Sequence, residues 1–135
     1  MIHSSVPKPD VVFYEGGYFT IVWGAAANAQ CQAFEYFEGM NAGDQAKASA
    51  LFLRLADQGA IYDKTKFRKE TEELFAFKPQ PHRFFCFFVK GRKVVIVTAY
   101  RKQGEKAPKR ELKRAEAGRL SYLQRLTEEE SHGEK

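Results

Sequence analysis

The stretch RFFCFFVKGRKVVIVTAYR, residues 83–101, sets two apolar runs on either side of a short turn at Gly91. Short apolar runs joined by a two- to three-residue glycine turn predict an antiparallel hairpin. In an extended strand successive side chains point to opposite faces, so Arg83, Phe85, Phe87 and Val89 share one face and Phe84, Cys86 and Phe88 share the other. Both faces are apolar in the middle. Such a strand belongs inside a sheet that is covered on both sides, so the four phenylalanines read as core. The same alternation in the second run puts Lys93, Val95, Val97, Ala99 and Arg101 on one face. With the turn centred on Gly91, Val89 falls near Lys93 and Arg83 near Ala99 or Arg101, which makes Arg83 and Arg101 expected neighbours at the end furthest from the turn.

Working outward, LFAF at 74–77 reads as a further strand, and residues 60–73 as a charged loop. Upstream, VVFYEGGYFTIVW at 11–23 reads as a hairpin whose Gly16 and Gly17 would supply positive φ. A helix is expected from about Asn28 to Glu38, with Asn28 as cap and Cys31, Phe34 and Phe37 on one face. A second is expected from Asn41 or Asp44 to about Gln58, with Ala48, Leu51, Phe52 and Leu55 at helical spacing and Gly59 in the left-handed C′ position. Pro108 suits the first turn of a last helix bearing Leu112, Ala115, Tyr122 and Leu126 on one stripe. The segment 127–135 reads as a frayed tail.

A length of 135 residues, 44% of them hydrophobic, fits one globular domain over 1–135. No apolar run reaches the roughly 20 residues that span a bilayer, and the first ten residues lack the basic and apolar regions of a secretory signal, so a cytoplasmic protein is expected. Cys31 and Cys86 stand alone, without CxxC spacing, and read as small core residues rather than as a disulfide or metal ligands. The net charge of +5 is unevenly spread. Residues 1–60 carry 3 Lys/Arg against 6 Asp/Glu, residues 61–135 carry 19 against 11, and residues 78–114 carry 12 against 2. Such a concentration points to a polyanionic partner.

Two guanidiniums close together are costly unless an anion lies between them, and planar arginine suits phosphate oxygens. Arg83 and Arg101 are therefore candidate phosphate ligands; pairing with Glu72 or Glu73 is the alternative. Lys64, Lys66, Arg68, Lys102 and Lys106 lie in segments entering the same end. Histidine is the side chain suited to proton transfer near neutral pH, so His82 is a candidate, with Tyr100 next. No nucleotide-binding glycine motif, Ser/His/Asp set, HExxH or carboxylate pair on a plausible strand end is present. Metal-dependent hydrolysis and cofactor chemistry are thus not expected.

The run 74–112 resembles the RelE/HigB superfamily of type II toxin–antitoxin toxins, and within it the phage-derived Gp49-like branch. The resemblance rests on Phe75, Phe77 and Lys78; on Arg83, Phe85 and Phe87; on Gly91; on Tyr100, Arg101 and Lys102; and on Ala107 to Glu111, where a helix opens. It extends over about residues 18–116, with residues 1–17 as an N-terminal extension or extra hairpin strand. It implies an α+β fold: a helical hairpin packed on a twisted, mainly antiparallel sheet of four to five strands, with a C-terminal helix. It further implies a ribosome-dependent endoribonuclease that cuts mRNA without metal or cofactor, by attack of the 2′-hydroxyl on the adjacent phosphate, and that is neutralised by an antitoxin. On this reading Arg83, Arg101 and Lys102 stabilise charge, His82 or Tyr100 moves the proton, and Lys64, Lys66, Arg68, Lys78 and Lys106 position RNA. The alternative is a non-catalytic module of the same fold, either a ParE-like gyrase inhibitor or a degenerate phage-derived protein.

Overall fold

A computed structural model describes residues 10–26, 28, 30–104 and 106–133. The chain runs β1 (Asp10–Glu15), β2 (Thr20–Gly24), α1 (Gln32–Glu38), α2 (Ala42–Gln58), β3 (Phe67–Lys69), β4 (Phe75–Phe77), β5 (His82–Val89), β6 (Lys93–Arg101) and α3 (Lys109–Gly133). The strands form one sheet in the order β1-β2-β6-β5-β4-β3. Every neighbouring pair is antiparallel except β2 and β6, which run parallel. The α+β class and the helical hairpin on a mainly antiparallel sheet are as the sequence predicts. The sheet has six strands rather than four or five, because β3 emerges from the stretch read as a charged loop. Three residues are too few to show an alternation; what recruits them is Phe67, whose buried ring lies 4.8 Å from that of Phe77.

Strand β5 is the central element, covered on both sides. Phe84 and Cys86 join Ile21, Phe52, Phe77, Val94 and Ile96 under the α1–α2 hairpin. Phe87 packs with Val22, Val95 and Tyr122, and Phe85 with Leu74 and Ala115, under α3. The assignment of β5 faces from alternation therefore holds, although Phe88, near the turn, is 37% exposed. The hairpin side is an aromatic cluster in which the Phe52 ring meets Phe13, Phe77 and Phe84 edge-on at 5.5, 4.8 and 5.4 Å. Edge-to-face pairs of this kind add about 0.5–1.5 kcal/mol each beyond area burial.

The helices begin and end for local reasons. Asn41 caps α2 by accepting from the Asp44 amide at 2.8 Å, and Gly59 closes it at φ 82. Helix α1 starts later than expected: the Asn28 side chain accepts from the Gln30 amide in a local turn, and Cys31 takes the cap position without a side-chain cap bond. Phe34 is consequently 41% exposed, while Ala33 is the buried residue of that helix. The predicted stripe of α3 packs on the sheet, but the helix continues through the expected frayed segment to Gly133. Glutamates 128–130 are good helix formers, and the Thr127 hydroxyl bonds back to the Leu123 carbonyl at 3.0 Å. No helix among the described residues is long and apolar enough to cross a membrane. Residues 1–9 lie outside the described residues, and the rest of the N-terminal segment supplies edge strand β1.

The β1–β2 link uses its glycines differently from expectation. Among the described residues positive φ is taken by Gly59, Gly91 and Arg92, and by neither Gly16 nor Gly17. A Cβ on Gly16 would instead lie 2.5 Å from the backbone of Ala56, so this glycine lets the link rest against α2. The same atom on Gly17 would meet nothing nearer than 3.7 Å. Gly16→Ala is expected to destabilise by roughly 1–3 kcal/mol, as overpacking does, and Gly17→Ala to change little. Urea denaturation midpoints of the two variants measure this contrast.

Candidate functional site

Register at the far end of β5 and β6 decides which side chains meet. From the turn outward Val89 pairs with Lys93, as the sequence predicts, and the register holds to Cys86 opposite Ile96. There it slips: Phe85 pairs with Thr98, leaving Val97 as one extra residue on β6. Beyond this bulge Arg83 lies opposite Tyr100 and His82 opposite Arg101. Alternation in β6 is inverted past Val97, so Tyr100 faces the α3 side with Phe85, and Arg101 faces the hairpin side with Ala99. Arg83 and Arg101 are thus not neighbours on one face, contrary to the strict alternation expected from sequence.

The α3 side of this strand end is a concave cleft of about 300 Å³. Arg83 and Lys78 line it with Tyr100, and Arg68, Lys102 and Lys106 stand around them. Arg83 is only 7% exposed, and its Nη1 donates to the His82 carbonyl at 3.0 Å and to Gln80 Oε1 at 3.3 Å. Tyr100 stacks on Phe85, with ring centroids 5.8 Å apart. Lys78, at the end of β4, is largely buried, and its Nζ lies 3.7 Å from Glu70 Oε2. Six sequence candidates are therefore brought together here. Glu70 joins them from the segment after β3 and was missed, since one acid in a loop carries no sequence signal.

The electrostatics follow from burial. Desolvation, the largest effect, holds the Lys78 ammonium below the ordinary lysine range; Glu70 opposes it, and Arg83 and Arg68 add to it. Burial likewise lowers the Arg83 guanidinium against Tyr100 and Glu70, though an arginine keeps its charge. The Tyr100 hydroxyl is pushed up by burial, with Arg83 opposing, so it stays a neutral donor. The cleft thus holds a fixed cation, an ammonium disposed to give up its proton, a neutral hydroxyl and one carboxylate.

Four candidates fall elsewhere. His82 and Arg101 face the hairpin side, in a separate cleft with Tyr36 and Asp44. Both ring nitrogens of His82 are engaged: Nε2 lies 2.7 Å from Asp44 Oδ2, and Nδ1 lies 2.6 Å from the Tyr36 hydroxyl. His82 is 6% exposed, and the chain Asp44–His82–Tyr36 ties the first residue of β5 to both helices of the hairpin. It holds the strand end, and with it the carbonyl that Arg83 binds. Lys64 is exposed on the turn before β3 and stands outside the Arg83 cleft, while Lys66 lines a different one beside α2. Cys31 and Cys86 are buried, and burial raises both thiols.

The hydrogen bond from His82 holds the Asp44 carboxyl below the usual carboxylate range, opposed by partial desolvation. A folded-state value below the unfolded one adds stability above the unfolded pKa of about 4, and that stability is lost as pH falls through the folded value. Asp44→Asn is therefore expected to be less stable than wild type at neutral pH, and the gap should close in acid. Thermal unfolding of both proteins between pH 7 and pH 3 provides the measurement.

A strand arginine beside a strand-end tyrosine and lysine, on a sheet backed by a helical hairpin, invites comparison with known families. No curated protein matches the chain. The family model described as phage derived protein Gp49-like (DUF891) matches residues 35–119, more than half of the chain and all of the cleft from Arg68 to Leu112. That span takes in the end of α1, all of α2, strands β3 to β6 and the start of α3, and it leaves the β1–β2 hairpin outside. With its elements in this order and its family model matched over this length, the chain belongs to the phage-derived Gp49-like family of the RelE/HigB-like toxin superfamily.

Proposed function

We propose that this protein is the toxin of a toxin–antitoxin pair and acts as an endoribonuclease on mRNA at the ribosome, with the Arg83 cleft as its reaction site. The observation that carries the reading is the convergence of buried Arg83 and half-buried Lys78 with Glu70 and Tyr100 in one open cleft ringed by Arg68, Lys102 and Lys106. A structural ion pair does not need five cations around one carboxylate. A phosphodiester supplies the charge that balances them.

The chemistry available to these groups is cleavage by the RNA's own 2′-hydroxyl. The Glu70 carboxylate takes the proton from the 2′-oxygen, which attacks phosphorus. The O2′–P bond forms and the P–O5′ bond breaks. The departing 5′-oxygen takes a proton from the Lys78 ammonium, whose burial favours its release. Arg83 is fixed by the His82 carbonyl and Gln80, so it meets the negative charge of the transition state without reorganising. The Tyr100 hydroxyl donates to a non-bridging oxygen. Products are a 2′,3′-cyclic phosphate and a 5′-hydroxyl, and the cleft's own groups account for every proton moved. An antitoxin that covers this basic surface would silence it.

Induced expression with RNA 5′-end mapping tests the reading. Wild type should arrest growth with cuts inside translated codons. Arg83→Ala should lower cleavage about 10²–10³-fold, the scale of losing one preorganised charge donor, and Lys78→Met about 10²–10⁴-fold, the scale of losing a general acid. Arg101→Ala should change the chemistry little, because its guanidinium lies on the other face. Growth arrest with intact mRNA and damaged DNA would overturn the ribonuclease in favour of a gyrase target.

A further inference from the structure

Helix α2 carries two exposed cations, one facing Asp44 and the other Asp63. Lys47 and Arg54 are seven residues apart, two helical turns, and so lie on one side about 10 Å apart along the axis. They line a second cleft of about 530 Å³, between α2 and the segments around Lys66 and Lys78, with Thr65 and Gln80 as its neutral walls. Four cations and no carboxylate line this cleft. Three carboxylates flank it, and one of them, Glu70, lies 3.7 Å from Lys78 and lines the first cleft. Asp44 reaches Lys47 at 3.8 Å but is committed to His82. Asp63 is occupied by the Thr65 hydroxyl and amide, at 2.6 and 2.9 Å, which chiefly hold its carboxyl low. The apolar face of α2, with Leu51, Phe52 and Leu55, is buried in the core. Leu51 also lines the cleft, with Ala50, so exposed Lys47 and Arg54 stand at the border of that buried stripe.

The second cleft is connected to the first. Lys78 and Gln80 belong to both environments: Lys78 lines each cleft, and Gln80 lines the second while holding Arg83 in the first. The Lys78 amide donates to the Lys66 carbonyl at 2.8 Å, which fixes the two sides of the junction to each other. Cations 10 Å apart on a rigid helix cannot meet one small anion together. They suit successive phosphates of a chain.

We propose that this α2 cleft binds the single-stranded RNA backbone flanking the phosphate held at Arg83, with Lys47, Arg54 and Lys66 each contacting a phosphate and Lys78 at the junction. The proposal rests on the ribonuclease reading for the direction of the strand, and its binding can be measured apart from cleavage. The site makes the protein a reader of strand length: RNA reaching past the reaction cleft gains affinity, and a fragment confined to that cleft gains none.

The test uses the full chain and a labelled 12-nucleotide oligoribonucleotide, 2′-O-methylated throughout so that it binds without being cut, with anisotropy read over a range of salt. Each phosphate contact on a single strand contributes about 0.7 to the slope of log affinity against log salt. The double variant Lys47→Ala/Arg54→Ala should lower that slope by about 1.4, and Lys47→Arg/Arg54→Lys should restore it. A methylated trinucleotide should bind wild type and the double variant alike. An unchanged slope in the double variant overturns the proposal, as does a 12-mer that binds no better than the trinucleotide. If the slope stays while a polyglutamate peptide binds wild type and not the double variant, the cleft serves an acidic protein and the RNA assignment fails. Loss of slope in a protein that never cuts RNA keeps this site and removes the ribonuclease reading; cutting abolished by Arg83→Ala with an unchanged slope does the reverse.

Discussion

The single extra residue at Val97 is the constraint on which the rest of the site depends. Between Val89 and Cys86 the β5–β6 pair keeps one register, and beyond Phe85 it keeps another. Because side chains alternate with period two, one inserted residue exchanges the faces of everything that follows it. Without the bulge, Arg83 would oppose Ala99 and the ends of both strands would send arginines to the same side. With it, Tyr100 stands beside Arg83, and Arg101 is sent to the hairpin side beside His82. One residue thus separates a cleft that can handle a phosphate from a polar tie that holds the strand end.

That tie explains how a guanidinium can be kept nearly buried without a carboxylate directly bound to it. Arg83 leans on a backbone carbonyl, that of His82, and a carbonyl is useful only if it does not move. His82 is pinned from two helices, by Asp44 at the start of α2 and Tyr36 on α1. The buried imidazole is fully satisfied, so the network adds order without leaving an unpaired polar group in the core. Glu70, meanwhile, balances Lys78 at 3.7 Å, a loose separation for an ion pair, leaving both groups room for another partner.

The parts of this architecture legible in the sequence are those set by local chemistry. Alternation in 83–89 placed every phenylalanine on its observed face, the Asn41 cap and Gly59 fixed α2, and the turn at Gly91 fixed the near half of the β5–β6 register. What was hidden is set by distance in the chain. Nothing local marks Val97 as a bulge, for it closes the continuous apolar run Val94–Val97 with no glycine or other break in KVVIVTAYR. Strand β3 exists only because Phe67 finds Phe77, and Glu70 matters only because β3 and β4 carry it to Lys78. Tyr36 and Asp44 read as helix residues until tertiary packing brings them onto His82. The lysines gathered before β3 read as one patch, yet β3 sends Arg68 to one cleft and Lys66 to the other.

The apolar spacing of α2 predicts its buried stripe, while Lys47 and Arg54 are exposed. Its buried stripe is fixed by the aromatic cluster around Phe52, so the helix cannot rotate to hide Lys47 or Arg54. Residues 1–60 are acidic overall, with 3 Lys/Arg against 6 Asp/Glu, and two of those three cations line the same cleft. In a segment so poor in positive charge, solvation alone would not gather them on one side of one helix. A sheet covered on both faces gives each cleft a rigid floor, and rigidity lets the spacing of charges correspond to the spacing of phosphates. On the proposed reading the aromatic core would act on binding as well as on stability: by fixing the rotation of α2 relative to β4, it sets the distance between the α2 cations and Arg83.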